Sequence, residues 1–299
     1  MNLWIRRGAI ALTVLIVLSA TVAITGKVLG ERKRTRIVQQ VPVKPVPWVS
    51  DATNLERGRY LYVSRGCTDC HHVHGGGREF INDPKGMRII GPNITQGSPV
   101  AQYTADDWVR IIRHGVKANG RAAFLMPSED YNRWTDADLG ALVGYVRSLP
   151  PISGGEAIIE LPTPVKALYG FGLIQDAFEK IDHTLPPAQP IPAAVNAQHG
   201  AYVANMCIGC HGPGLSGGKI PGGPPSWPAA ANLTPGAEST MARYPDAQSF
   251  VTMLRSGKRA DGNAIQVMPF ESLRQLNDVD AQALYAYLKT VPAKAPGNR

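Results

Sequence analysis

The chain has 299 residues, a length that suits about two domains. Its formal net charge is +8, but residues 1–36 hold Arg6, Arg7, Lys27, Arg32, Lys33, Arg34 and Arg36 against Glu31 alone, which leaves +2 for the other 263 residues. The basicity is therefore a local N-terminal feature, and this excludes an extended phosphate-binding groove and a nucleic-acid partner.

The first predicted element is Gly8 to Gly26, 19 uncharged residues rich in Ala, Leu, Ile and Val. As a helix it is about 28 Å long, close to the thickness of a hydrocarbon core. Thr21-Val22-Ala23 resembles a loose signal-cleavage site, but the stretch is longer than the usual signal core of about 7–15 residues, so residues 1–30 read as a retained transmembrane anchor. A basic, proline-containing tether over 31–52 follows. Two arginines precede the span and five basic residues follow it, a bias that by itself would place the rest of the chain in the cytoplasm.

Residues 53–152 form the first predicted domain. Thr53-x-x-Glu56 reads as a capping box opening a helix that runs to about Gly66. Next comes Cys67-Thr68-Asp69-Cys70-His71, the attachment signature of c-type haem. The spacing has a physical basis: one turn of chain presents both thiols to one edge of the macrocycle for thioether bonds, and the next residue then falls under the iron. Thr104-x-x-Asp107 opens a second helix carrying Trp108, Val109, Ile111 and Ile112, stopped by Gly115. After Met126-Pro127, Thr135-x-x-Asp138 opens a third helix that ends before Pro150-Pro151.

A proline-rich linker spans 153–193, with a predicted amphipathic helix over Val165 to Ile181. Such a helix can pack across the two domains, or it can meet a membrane surface or a partner; packing is the preferred reading, because a fixed geometry serves a chain with two redox centres.

Residues 194–299 repeat the first domain at an offset of about 142. Gly58-Arg59-Tyr60 matches Gly200-Ala201-Tyr202, Asn93-Ile94-Thr95 matches Asn232-Leu233-Thr234, and Arg113-His114-Gly115 matches Arg255-Ser256-Gly257. The second haem signature is Cys207-Ile208-Gly209-Cys210-His211, so the two motifs use every cysteine in the chain. Pro245 suits the first position of the middle helix, Gly257 its stop, and Asn277 the cap of the last helix. A zinc ribbon would need its two knuckles about 15–20 residues apart, and a thioredoxin site a βαβ pattern; neither fits. No run of alternating strand residues stands out. The expected fold is mainly α: two tandem class I cytochrome c domains after an N-terminal transmembrane helix.

His71 and His211 each supply one axial ligand to iron. Met126 and Met268 occupy the same repeat position, each before proline and just ahead of the last helix, and are the candidates for the opposite ligand. Met87, Met206, Met241 and Met253 read as core or loop residues. His72 and His74 read as solvated, His114 as a helix C-terminal cation, and His183 and His199 as linker residues. Closed Met/His ligation favours electron transfer over catalysis.

The pattern resembles the cytochrome c subunits of bacterial membrane-bound alcohol, aldehyde and sugar-acid dehydrogenases. It rests on Arg57-Gly58-Arg59-Tyr60-Leu61, Pro92-Asn93-Ile94-Thr95 and Met126-Pro127-Ser128 in the first copy, and on Leu215-Ser216-Gly217-Gly218 and Met268-Pro269-Phe270 in the second. The two signatures imply two covalently bound haem c groups, and closed ligation leaves no catalytic residue. The resemblance implies that the first and last helices of each domain cross, bringing Tyr60 to the Tyr145 helix and Tyr202 to the Tyr287 helix. It also implies that the carbonyls of Pro92 and Ala231 orient the ligating imidazoles. Haem attachment in this family takes place outside the cytoplasmic membrane. The expected location is therefore the bacterial inner membrane with haem domains in the periplasm, and the span's basic flank then faces anionic lipid heads. The expected partners are a dehydrogenase or quinol-oxidising complex as donor and an oxidase or soluble cytochrome as acceptor. The alternative is a dihaem enzyme, peroxidase-like or thiosulfate-oxidising.

Overall fold

A computed structural model describes residues 3–38, 41–224 and 226–298; Gln39 and Gln40 of the expected tether lie outside the described residues. Helix α1 runs from Leu3 to Thr35, so the first residues of the tether continue the anchor helix. Its apolar stretch is exposed from Gly8 to Thr25, as expected of a helix whose solvent is lipid, and Gly26 is buried.

The first domain contains α2 (Ala52–Ser64), α3 (Cys67–His71), a hairpin of β1 (Glu79–Asp83) and β2 (Met87–Ile90), α4 (Ala105–His114), α5 (Ser128–Tyr131) and α6 (Asp136–Ser148). The linker adds β3 (Ile158–Glu160) and α7 (Thr163–Gly170). The second domain contains α8 (Ala197–Val203), α9 (Ile208–His211), α10 (Ala247–Ser256), α11 (Phe270–Leu273) and α12 (Asp278–Leu288). Each domain has its own core: Leu61, Trp108, Ile112, Leu139 and Val143 belong to the first, and Val203, Met241, Phe250, Leu254 and Leu284 to the second.

The caps follow hydrogen-bond chemistry. Thr104 forms the expected capping box with Asp107, and Thr135 and Asn277 cap α6 and α12. Two expected starts shift. Asp51, not Thr53, caps α2, accepting from Asn54 N, and Asp246 caps α10, which leaves Pro245 outside the helix. In both cases a carboxylate at the positive end of the helix takes the cap.

In each domain the first and last helices cross at a glycine. A Cβ on Gly58 would lie 2.1 Å from the Ala141 carbonyl oxygen, and one on Gly200 would lie 1.9 Å from that of Ala283. The contact is helix backbone to helix backbone, so no side chain can yield. Gly58→Ala and Gly200→Ala are each expected to destabilise by about 1–3 kcal/mol or more, although alanine adds about 1 kcal/mol of helix propensity. Denaturant unfolding checks this; a neutral or stabilised variant would show that the helices separate freely.

The three-stranded antiparallel sheet was not expected. Its order is β1-β2-β3, with Asp83 opposite Met87 and Ile90 opposite Ile158. The strands are three to five residues long, too short for alternation to show, and β3 meets β2 only through the tertiary fold. In the second domain the described residues of the matching loop hold an isolated bridge between Gly218 and Ala230.

The linker helix also differs from expectation. It ends at Gly170, where a turn through Gly172 (φ +79°) follows, and it packs on α1 and the sheet, while Ile174 just beyond it lies against both the sheet cluster and Gly222 of the second domain. Beyond it, Glu179 pairs with Lys33 at 2.7 Å and with Arg36 at 3.0 Å, and Asp176 pairs with Arg36 at 3.0 Å. Lys166 reaches Glu31. Lys33 and Arg36 therefore face protein carboxylates, not lipid heads. Further on, the Nδ1 atoms of His183 and His114 lie 3.0 Å apart, and His183 Nε2 lies 3.0 Å from the Phe178 carbonyl oxygen. Burial, His183 and the neighbouring arginines push His114 down to about 4, so it is neutral near pH 7 rather than the expected cation.

Candidate haem sites

Each Cys-x-x-Cys-His segment is one helical turn. Gly66 enters α3 in the left-handed conformation (φ +86°), and Gly212 leaves α9 at φ +78°. The turn places the two cysteines three residues apart on one face. No disulfide forms within either pair. Burial pushes the thiols of Cys67 and Cys207 up to about 12 and that of Cys70 to about 11, so all three are protonated at neutral pH.

The imidazoles of the two motif histidines are oriented by loop carbonyls. His71 Nδ1 lies 2.9 Å from Pro92 O, and His211 Nδ1 lies 2.8 Å from Ala231 O. A ring that donates from Nδ1 is the tautomer whose lone pair sits on Nε2, the nitrogen a metal would take. The residue after each carbonyl braces the loop. Asn93 Oδ1 accepts from both Thr95 N and Thr95 Oγ1 at 2.8 Å, and its amide donates to Ile152 O. Asn232 repeats this with Thr234 and donates to Lys294 O at 2.9 Å. This brace is the physical content of the repeated Asn-x-Thr.

The two Met-Pro segments also share one geometry. Pro127 has φ −79° and ψ 59°, Pro269 φ −79° and ψ 69°, and in each case the residue after proline donates back to the methionine carbonyl, at 2.8 Å from Ser128 and 2.9 Å from Phe270. Met126 packs on the core that also holds Cys67, and Met268 on the core that holds Cys207. Met241 and Met253 are buried members of the second core, and Met87 sits with the sheet.

The two domains meet across an interface that the repeat makes nearly symmetric. Tyr60 packs on the first core, which includes Leu139, Leu142 and Val143 of the Tyr145 helix, and Tyr62 meets Tyr145 in a tilted ring contact with centroids 5.5 Å apart. Tyr60 reaches the other domain, donating to Asp280 Oδ2 at 2.6 Å and accepting from Asn277 N at 3.2 Å. Its repeat partner Tyr202 donates to Asp138 Oδ2 at 2.7 Å and accepts from Thr135 N at 3.2 Å. Each tyrosine thus seats on the capped N-terminus of the other domain's last helix. Each motif turn meets the short helix after the other domain's Met-Pro segment in the same exchanged fashion: Gly209 N donates to Asp130 at 2.9 Å, and Ser272 Oγ donates to Asp69 at 3.1 Å. This is the self-complementary pattern of a two-fold interface, built inside one chain.

The symmetry breaks at the charges. Asp138 is held by Arg57 at 2.8 and 2.9 Å, and Arg57 is about one-third exposed. Asp280 is 1% exposed and is held by His199 at 2.7 Å and by the buried Arg65. Burial alone would raise Asp280; Arg65 and the hydrogen bonds from Tyr60 and His199 outweigh it and hold the carboxyl at about 2. His199, read from sequence as a linker residue, is in fact at this junction.

The donor set fits haem and not a bare cation. Among the described residues no group of three or more His, Cys, Asp or Glu side chains gathers to hold a metal ion. Each site instead offers a paired thiol turn, a histidine oriented through Nδ1, and a partly apolar core beside it.

Comparison with known proteins agrees. Residues 53–146 match the family model described as cytochrome c oxidase, cbb3-type, subunit III, and residues 197–292 match cytochrome c. The chain is 29% identical to the fructose dehydrogenase cytochrome subunit of Gluconobacter japonicus, over 86% of this chain and 57% of that protein. It is 26% identical to the gluconate 2-dehydrogenase cytochrome c subunit of Pantoea cypripedii, over 80% and 60%. It is 25% identical to the cytochrome c subunit of the quinone alcohol dehydrogenase of Gluconacetobacter polyoxogenes, over 83% and 58%. The chain spans less than two thirds of the length of these relatives. With two cytochrome c domains behind an apolar N-terminal helix, the chain is a cytochrome c with two covalently bound haem c groups, homologous to the cytochrome c subunits of dehydrogenases.

Proposed function

We propose that this chain is a membrane-tethered two-haem electron relay. It takes electrons from a dehydrogenase or a quinol-oxidising complex and passes them to a downstream oxidase or soluble cytochrome. Cys67 and Cys70, and Cys207 and Cys210, form the thioethers; His71 and His211 are the proximal ligands, and Met126 and Met268 the distal ones. Bound haem c supplies the iron that accepts and returns one electron. The protein holds each imidazole in one tautomer, covers each site with its own core, and fixes the two motifs relative to each other. The relatives named for fructose, gluconate and alcohol dehydrogenases support a dehydrogenase as donor.

The observation that carries this reading is the exchanged interface, in which each motif turn touches the other domain. The haem domains lie on the periplasmic side of a bacterial inner membrane. The salt bridges of Lys33 and Arg36 support this orientation, because Asp176 and Glu179 offset part of the basic flank that argues for the opposite one.

The test is made on the full chain in detergent. A pyridine haemochrome assay is expected to give two haems c per chain, and a redox titration two one-electron waves. Rapid peroxide turnover by the half-reduced protein would replace the relay with an enzyme, and a single haem would refute the duplicated site.

A further inference from the structure

We propose that the tip of the linker, Leu168 to Leu173, is a second membrane contact that inserts into the lipid interface beside α1. The inference rests on α1 spanning the membrane.

Height along α1 carries the argument. α7 lies against α1 with almost no space between backbones: a Cβ on Gly26 would be 2.6 Å from Ala167 Cβ and 2.7 Å from Phe171 Cε2, and one on Gly170 would be 2.4 Å from Gly26 O. Gly26 and Gly30 lie one helical turn apart on the face that α7 covers, a small-residue spacing that lets helices approach closely. Gly26 is also the last residue of the uncharged stretch. Phe171 is thereby fixed at the level where the span ends and lipid head groups begin.

The composition of the tip matches that level. Residues 167–175 contain no charge. Leu168 is 42% exposed, Phe171 45% and Leu173 71%, although Tyr169 in the same turn is buried. The charged contacts between α1 and the linker begin farther along the helix, at Glu31, Lys33 and Arg36. That is roughly 8–15 Å beyond Gly26 at the helical rise. An apolar tip below a charged layer is the depth profile of an interfacial segment, whose apolar side sinks about 5–10 Å into the head-group boundary. The occupant is lipid because the surface continues the lipid-facing surface of α1 itself. Two adjacent points of insertion would also fix the rotation of the haem domains about the anchor, which a lone helix leaves open.

The test uses the full haem-loaded chain in nanodiscs of phosphatidylcholine and phosphatidylglycerol doped with a phospholipid carrying a diazirine on its acyl chain. After irradiation, tryptic peptides are mapped by mass spectrometry. Lipid adducts are expected on the 167–180 peptide as well as on α1, and not on the 275–289 peptide, which carries the exposed Val279 of the second domain's last helix. Leu173→Asp with Phe171→Asp is expected to cut the 167–180 adduct severalfold while the α1 adduct stays. Adducts confined to α1 would overturn the proposal and leave the span intact. Absence of adducts from α1 as well would overturn the span, and with it this inference.

Discussion

Asp280→Asn is expected to destabilise the protein by about 3–5 kcal/mol, whereas Asp138→Asn, its repeat equivalent, costs about 1 kcal/mol or less. Both aspartates accept a hydroxyl from a tyrosine of the other domain, at 2.6 and 2.7 Å, so loss of that bond alone predicts equal effects. The difference lies in the cation left behind. Arg57, about one-third exposed, can be hydrated once Asp138 is neutral. Arg65 is 4% exposed and shares Asp280 with the buried His199, so neutralising that carboxylate strands a charge in the interface. Denaturant unfolding of the two variants measures the gap. Adding Arg65→Met to Asp280→Asn is expected to recover most of the loss, and no recovery would show that the arginine is not the cause.

The same carboxyl sets a pH window. Its folded-state value of about 2 lies below the ordinary 3.8, so its contribution is complete above about pH 4 and is lost as pH falls towards 2. The linkage amounts to roughly 2 kcal/mol. Asp280→Asn is expected to flatten this limb of the stability profile, and Asp138→Asn to leave it in place. The interface is also where electron exchange between the domains would register the change. A variant that stays folded but lets the domains part is expected to slow equilibration between the two centres without moving either midpoint potential.

Much of the site is legible in the linear chain because the duplication acts as a control. A feature at one position in both copies separates function from filler: the Cys-x-x-Cys-His turns, the Asn-x-Thr loops behind each histidine, and the Met-Pro segments. What the duplication hides is contact between the copies. Tyr60 and Tyr202 stand out as a repeated pair, but periodicity reports which face of a helix is apolar, not what a hydroxyl meets 220 residues away. His199 is obscured for a related reason. It takes the place of Arg57 in the repeat, so it looks unmatched, although both residues hold the same aspartate position. The sheet escapes because three- to five-residue strands carry too little alternation, and the α1–α7 packing because close helix contact is written in glycines that also read as breakers.

Replacing Met126 with Leu is expected to lower one midpoint potential by on the order of a hundred millivolts or more and to leave the other nearly unchanged; Met268→Leu does the same to the other centre. Leucine is the informative substitution because it keeps the apolar volume, costs under about 1.5 kcal/mol, and removes only the thioether. Both methionines are partly buried beside the core that holds the first cysteine of their own motif, so packing loss stays local. Met241→Leu is the control. Met241 is 2% exposed inside the second core, and its replacement is expected to leave both potentials alone. The matched turns at Pro127 and Pro269 argue that the two methionines stand or fall together, since one backbone geometry presents both. If Met126→Leu and Met268→Leu each keep both wild-type potentials and the Met-ligated haem spectrum, neither thioether is a ligand. Closed ligation would then have to come from elsewhere in the fold, or one centre would be open to chemistry.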